Sequence, residues 1–204
     1  IKTFFPGKGD IELLDIGCGT GEFLSACAKT GWRVEGVEPS EDARNQAKEK
    51  HQLTVNDENS LEKNQKQFDV ITMWHVLEHV HSLNKRIDQV SKLIAKNGYV
   101  IIAVPNHTSS DAIIFKENWA AWDVPRHLYH FSPSTIKNLM ANHGFKHVAS
   151  KPMVFDSYYV SLLSTQYEGG IKNYLKGIWR GWKSNQSAGK NAEKYSSVIY
   201  IFTK

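Results

Sequence analysis

Cysteine is scarce: the chain of 204 residues has two, Cys18 and Cys27. They form no CxxC pair, and no cysteine–histidine cluster has structural zinc spacing, which argues against a disulfide framework and a zinc module and points to a reducing, cytoplasmic compartment. Long apolar runs are also missing. The longest buried-looking run, Tyr99 to Val104, is far too short to span a bilayer, and no signal peptide is seen. The chain begins at Ile1 rather than Met, which leaves room for residues upstream. Charge of one sign is lacking as well: 25 basic residues face 21 acidic ones, a net +4 that does not by itself imply nucleic acid. There is no internal repeat. What remains is an ordinary globular composition, 41% hydrophobic and 23% charged, in a chain long enough to bury a core without staples.

Strand-like and helix-like stretches alternate through the first half. Ile11 to Ile16 reads as a buried strand, Glu22 to Lys29 as a helix, Trp32 to Val37 as a second strand. Ser40 can cap a helix from Glu41 to Lys50, with acids in its first turn and lysines in its last, as the helix dipole favours. Gln52 to Val55 is a weak third strand and Phe68 to Trp74 a fourth. A helix from about Ser82 to Lys96 is expected to stop at Asn97-Gly98, before a fifth strand over Tyr99 to Val104. This order predicts an α/β fold, a mostly parallel sheet covered on both faces. Residues 106–131 read as an irregular excursion. Ser132-Pro133 opens a helix to about Asn142, and Phe145 to Phe155 and Ser197 to Phe202 are expected as two final strands. A basic, aromatic insertion lies between them, at about 157–195, within a single domain over 1–204.

The turn after the first strand holds Gly17, Gly19 and Gly21. In a parallel sheet that is where ligands bind, and glycines let a ligand approach the backbone. The spacing is G-x-G-x-G rather than the dinucleotide G-x-G-x-x-G. Glu38 ends the second strand about 20 residues on, where a carboxylate meets ribose hydroxyls in this topology. Glycine turns and strand-end acids are common in α/β proteins, but together they fit an adenosine-bearing ligand.

Leu13 to Gly21 resembles the first motif of class I S-adenosylmethionine-dependent methyltransferases almost letter for letter. Gly36-Val37-Glu38-Pro39-Ser40, Phe68-Asp69-Val70-Ile71 with Leu77-Glu78-His79-Val80, and Asn97-Gly98-Tyr99 with Val104-Pro105-Asn106 resemble that family's later motifs. Trp122 to Ser132 is similar to a small-molecule subgroup related to ubiquinone-type O-methyltransferases. The resemblance implies a doubly wound, Rossmann-like sheet of seven strands with an antiparallel C-terminal strand and a helical insertion before it. It also implies cofactor roles: Asp15, Gly17, Cys18, Gly19 and Gly21 in the loop, Glu38 on the ribose, Pro39 near adenine, Asp57 at the third-strand exit, Trp74 and His75 on the methionine side. The cofactor implied is S-adenosylmethionine, with S-adenosylhomocysteine as product.

Methyl transfer from a sulfonium is an in-line displacement in which the protein mainly positions the nucleophile; an oxygen nucleophile can also need a base. His127 and His130 are the candidates for base or substrate anchor, against the plainer reading that they bond the backbone of a segment closing the site. His75-Val76-Leu77-Glu78-His79 matches the inverted zinc-peptidase pattern H-x-x-E-H. It follows directly on a buried strand instead of lying on a long helix, so no metal is expected. Ile171, Tyr174, Leu175, Ile178, Trp179 and Trp182 fall at helical spacing among Lys172, Lys176, Arg180 and Lys183, in a helix weakened by Gly177 and Gly181. That stretch reads first as a lid packing its apolar face on the domain, then as a peripheral membrane contact through 171–183, and last as a nucleic-acid contact, which no recognition module supports. The expected activity is methylation of a small acceptor at oxygen, and a membrane-docking helix would suit a lipophilic one. The alternatives are a non-catalytic cofactor-binding member and a NAD- or nucleotide-dependent enzyme on a similar sheet.

Overall fold

The computed structural model describes residues 10–166 and 172–204. In chain order its elements are β1 (Glu12–Ile16), α1 (Glu22–Ala28), β2 (Arg33–Val37), α2 (Glu41–His51), β3 (Val55–Asn56), α3 (Ser60–Lys63), β4 (Phe68–Trp74), α4 (Leu83–Leu93), β5 (Ile94–Pro105), α5 (Ser110–Phe115), α6 (Pro133–Asn142), β6 (Lys146–Pro152), α7 (Asp156–Gln166), α8 (Lys172–Ala188) and β7 (Ser197–Thr203). The seven strands form one mixed sheet in the order β3-β2-β1-β4-β5-β7-β6, parallel except for its C-terminal strands. By packing, the chain divides into two compact units. The first holds the described residues within Ile1–Trp74, with Ser82–Ile101 and Phe202–Lys204; the second holds those within His75–His81 and Ile102–Ile201.

In the first unit β1 runs at the centre, parallel to β2 on one side and β4 on the other. Its Leu13, Leu14 and Ile16 are all buried, as are Val70, Ile71 and Met73 of β4. Such unbroken apolar runs are what a parallel strand covered on both faces requires. Ile16 pairs with Val37 and with Met73, and Val37 with Asn56, so the carboxyl ends of β1, β2, β3 and β4 come out side by side. The Ser40 side chain caps α2 by accepting from Ala43 N, as its sequence predicts.

Three boundaries differ from expectation. Gln52 takes a left-handed conformation (φ 56°) and donates to the Lys48 carbonyl, so it caps α2 and leaves the third strand only Val55–Asn56. Helix α4 ends at Leu93, because Ile94 turns extended; the left-handed Asn97 (φ 64°) lies within β5 rather than capping the helix. Strand β6 stops at Pro152, and Asp156 opens a helix.

The second unit is built around α5, α7 and α8. Ala112, Phe115, Trp119, Ala121 and Val160 form an apolar cluster. Beside it Asp111, fully buried, accepts hydrogen bonds from Trp119 Nε1 (2.9 Å), Ser184 Oγ (3.0 Å) and Ser196 Oγ (2.6 Å), tying α5, α8 and the start of β7 together. Ser132 and Thr135 close a reciprocal capping box on α6, with Pro133 in its first turn.

Helix α8 reverses its expected orientation. Ile171 and the side chains of Lys172 and Tyr174 lie outside the described residues. Of the rest of the predicted apolar face, Leu175 (75%), Ile178, Trp179 (54%) and Trp182 are exposed. The buried face is Gly177, Gly181, Ser184 and Ala188. It packs on α7, where Ser157, Ser161 and Ser164 are buried. The two glycines are the close-packing surface itself: a Cβ at Gly181 would lie 2.8 Å from Tyr158 Cα, and one at Gly177 3.0 Å from Leu162 Cα. Small residues here let two helix backbones approach more closely than Trp or Leu would permit.

Candidate functional site

The glycine loop leaves β1 and is fastened to the end of β2. Gly17 N and Cys18 N donate to the Val37 carbonyl at 2.7 and 3.2 Å, and Gly19 N donates to Glu38 Oε2 at 3.0 Å. Gly17, Gly19 and Gly21 all have positive φ (75°, 55° and 87°), the conformation that only glycine adopts freely. A Cβ at Gly19 would meet nothing within 4 Å, so the loop offers bare backbone to open space there, while one at Gly21 would lie 2.7 Å from Leu53 Cδ1. Glu38 Oε1 also accepts from Ser40 N at 2.9 Å. Each carboxylate oxygen can accept twice, so both keep a lone pair for a further donor.

Asp15 is buried beneath this loop and accepts from Thr72 Oγ1 at 2.6 Å. Burial, with the nearby Glu38 charge, pushes its carboxyl up to about 7 against the lowering effect of the Thr72 hydrogen bond. Burial likewise pushes the Cys18 thiol up to about 12, so it is no nucleophile. Asp57 follows β3 directly; its Oδ1 is turned to its own loop, accepting from Asn59 N at 2.8 Å. Trp74, at the end of β4, stands edge-on to Phe23 of α1 at 5.2 Å, and its indole N–H is buried with no partner. The expected cofactor residues Asp15, Gly17, Cys18, Gly19, Gly21, Glu38, Pro39, Asp57 and Trp74 thus gather at the joined strand ends of the first unit. Bare glycine backbone, a carboxylate with spare lone pairs and an unpartnered indole N–H fit a nucleoside with a charged tail.

His75 follows Trp74 directly at the end of β4. It belongs to the second unit, in a left-handed conformation (φ 54°), and its N–H donates to the Ala103 carbonyl at 3.0 Å. Its ring lies between two carboxylates: Nδ1 is 3.1 Å from Glu78 Oε1 and Nε2 is 3.4 Å from Asp156 Oδ2. Burial alone would lower its pKa, but the two carboxylates overcome this and raise it to about 10. Asp156 is correspondingly held below its ordinary range, burial being outweighed by His75 and the Ser197 hydroxyl. His75 is therefore a fixed imidazolium at neutral pH.

These residues line a cavity of about 650 Å³ in the second unit. Pro105, Ala120, Ala121, Val160 and Leu163 make its apolar wall, and Glu78, Asp123, Arg126, His127 and Asp156 its polar one. His127 Nδ1 lies 2.8 Å from the Ala121 carbonyl. A carbonyl only accepts, so Nδ1 carries the proton and Nε2, 3.7 Å from Asp123 Oδ2, carries the lone pair. Burial lowers the His127 pKa and keeps the ring neutral at neutral pH. His130 Nε2 donates to the Trp122 carbonyl at 2.9 Å and is not among the cavity's lining residues.

The zinc-peptidase spacing has no helix to act on, since only a 3₁₀ turn over Leu77–His79 forms and His75 precedes it in a left-handed backbone. A different trio, Glu78, His79 and His127, brings one ligand atom each to within 4.8 Å of one another, a donor set of the kind that holds a divalent cation. Sequence reasoning missed Glu78, Asp156, Tyr159 and Ser197 as cavity residues. Only the fold brings them together, and the one local signal was Glu78 itself, an acid among the histidines of the strand exit.

The sequence matches the methyltransferase domain family over residues 1–150. It is 35% identical over 105 residues to the ubiquinone biosynthesis O-methyltransferase of Pelagibacter ubique, covering 48% of this chain and 44% of that protein. It is 27% identical over 174 residues to the Rickettsia bellii protein of the same name, covering 76% and 70%. The chain thus spans less than half the length of the Pelagibacter relative. Among solved structures it is similar to phosphoethanolamine N-methyltransferase 2 of Haemonchus contortus in complex with S-adenosyl-L-methionine (TM-score 0.65, 21% identity, 100% of this chain and 50% of that one). It is also similar to a SAM-dependent methyltransferase of Archaeoglobus fulgidus (TM-score 0.64, 21% identity, 100% and 89%). With this match across the glycine loop, the strand-end acid and the sheet that carries them, the chain belongs to the methyltransferase domain family, the class I S-adenosylmethionine-dependent methyltransferases.

Proposed function

We propose that this chain transfers a methyl group from S-adenosylmethionine to a hydroxyl oxygen of a small, partly apolar acceptor held in the second unit's cavity. The observation that carries the reading is the glycine loop tied through Gly19 N–H to Glu38, with bare backbone and a partly unsatisfied carboxylate at adjoining strand ends. Glu38 accepts from the ribose hydroxyls, Gly17 and Gly19 let the loop backbone meet the methionine portion, and Asp15 orders the loop. Pro39 and Asp57 lie on the adenine side and Trp74 on the methionine side. When bound, the cofactor supplies an electrophilic methyl on a sulfonium, whose C–S bonding pair leaves with sulfur as the new C–O bond forms. The acceptor's proton goes to Nε2 of neutral His127, and Asp123 stabilises the imidazolium that results. His130 supports the segment through its bond to the Trp122 carbonyl. The ubiquinone biosynthesis O-methyltransferase relatives support oxygen as the acceptor atom.

Titration of the purified chain with S-adenosylhomocysteine tests the cofactor role. Saturable binding is expected, with Glu38→Ala weakening it by about 30- to 100-fold, the worth of a lost charged hydrogen-bonding group and loop tie. Unchanged affinity in Glu38→Ala would remove the ribose role.

The face that α8 leaves outside supports peripheral contact with an anionic bilayer through the 171–183 stretch. Leu175, Ile178, Trp179 and Trp182 are exposed there and interleave with Lys176, Arg180 and Lys183. Among the described residues no helix is long and apolar enough to cross a membrane. Co-sedimentation with vesicles of mixed zwitterionic and anionic phospholipid should retain the chain, and the double change Trp179→Ser, Trp182→Ser should release it. Retention of that variant would sink the contact.

A further inference from the structure

The cavity of the second unit has a charge pattern that the acceptor must match. Glu78 is fully buried, and only one of its oxygens is engaged, by His75. Oε2 is buried with no hydrogen-bond partner. A desolvated carboxylate oxygen without a donor is unfavourable, and a ligand that brings a donor relieves it. The nearest cation, His75, is outnumbered: Nδ1 lies 3.1 Å from Glu78 Oε1, and Nε2, which makes no hydrogen bond, lies 3.4 Å from Asp156 Oδ2. The other cation, Arg126, is mostly exposed and turned to Asp123, with Nη2 2.7 Å and Nε 3.1 Å from Oδ1. Three carboxylates, Glu78, Asp123 and Asp156, therefore line the cavity against two cations that are both engaged, and His127 stays neutral.

We propose that Glu78 and Asp156, bracketing His75, make this cavity select a ligand that presents a hydroxyl or ammonium donor to Glu78 Oε2 and reject one that presents a carboxylate or phosphate there. The ligand is called a methyl acceptor only on the strength of the methyltransferase reading above; the selectivity itself belongs to the cavity. An anionic group would have no proton to give Oε2 and would meet an excess of negative charge in a partly desolvated space, where repulsion is stronger than in water. A donor group would complete the hydrogen bonding of Glu78, while the apolar wall of Pro105, Val160 and Leu163 takes the body of the molecule. Glu78 and Asp156 thus act as specificity-determining residues, and His75 positions their carboxylates.

The test uses three probes with one ring and different charge: 4-hydroxybenzyl alcohol, 4-hydroxybenzylamine and 4-hydroxybenzoate. Their affinity for the full chain is measured by ligand-observed NMR with S-adenosylhomocysteine present, after the affinity of that nucleoside has itself been measured. The alcohol and the amine are expected to bind at least about tenfold more tightly than the benzoate, a ratio well within the reach of one buried charge. Glu78→Gln, which keeps the side chain's shape, should narrow the ratio, and Asp156→Asn should narrow it independently. Equal or tighter binding of the benzoate, a ratio unmoved in both variants, or no binding of any probe overturns the proposal. Failure of S-adenosylhomocysteine to bind, with the probe ratio intact, would overturn the methyltransferase reading and leave the cavity's selectivity standing.

Discussion

The two units solve opposite problems. The first presents mostly main chain: its loop is three left-handed glycines and a few backbone hydrogen bonds, and the acid that ties it, Glu38, ends the next strand. The second presents side chains drawn from far apart in the sequence, with Glu78 from a strand exit, His127 from a loop, Asp156 from a helix start and Ser197 from the last strand. A site made of backbone is recorded as a short run of letters. A site made of convergent side chains is recorded nowhere in particular.

Four changes would sharpen or break that contrast. The largest effect is expected at Asp111, whose carboxylate satisfies three buried donors of the second unit. Asp111→Ala should lower unfolding stability by about 3–5 kcal/mol, since buried donors left without partners forfeit roughly 1–3 kcal/mol each. Denaturant melts would show it; a loss under about 1 kcal/mol would mean the network is not what holds α5, α8 and β7 together. Next is His127→Gln, expected to cut kcat by roughly 100-fold, the usual contribution of a positioned base. The affinity for S-adenosylhomocysteine should not move, and a fall in affinity with kcat intact would move His127 out of the acceptor's chemistry.

Glu38→Ala, the first unit's counterpart, should do the reverse, weakening the nucleoside while leaving the benzyl alcohol and benzylamine probes untouched. The smallest effect is a pH dependence set by Asp15. Its carboxyl is neutral below about 7 and ionised above. Affinity for the cationic cofactor should therefore climb by a few-fold, roughly, between about pH 6 and 8 and then level. Asp15→Asn should flatten the climb. Folding has the opposite sign: the native state holds this proton more tightly than the unfolded chain, so Asp15 contributes stability as pH falls through about 7 and withdraws it as pH rises.

Much of the fold was legible because local chemistry and tertiary need agree. Unbroken apolar runs such as Leu13 to Ile16 belong to central parallel strands, and Ser40 and Ser132 cap the helices they precede. Elsewhere the agreement fails. Asn97-Gly98 is a good helix stop, yet Ile94 leaves the helix first because β5 recruits it. Periodicity on α8 correctly groups Leu175, Ile178, Trp179 and Trp182 on one face, but says nothing of which face is covered. Hydrophobicity points to the aromatic side, whereas close approach of backbones selects Gly177, Gly181, Ser184 and Ala188. His75 shows a related limit: the local sequence gives no sign of Asp156, 81 positions on, beside its ring.

The glycine seam between α7 and α8 has one more implication. Because the pair is clamped through its smallest residues, the large ones outside carry no weight in holding it shut. Substitutions at Leu175, Ile178, Trp179 and Trp182 are then free of the usual penalty on core positions, so what this helix pair touches can be retuned without altering how it packs. The outer face can change its chemistry while the seam beneath it stays as it is.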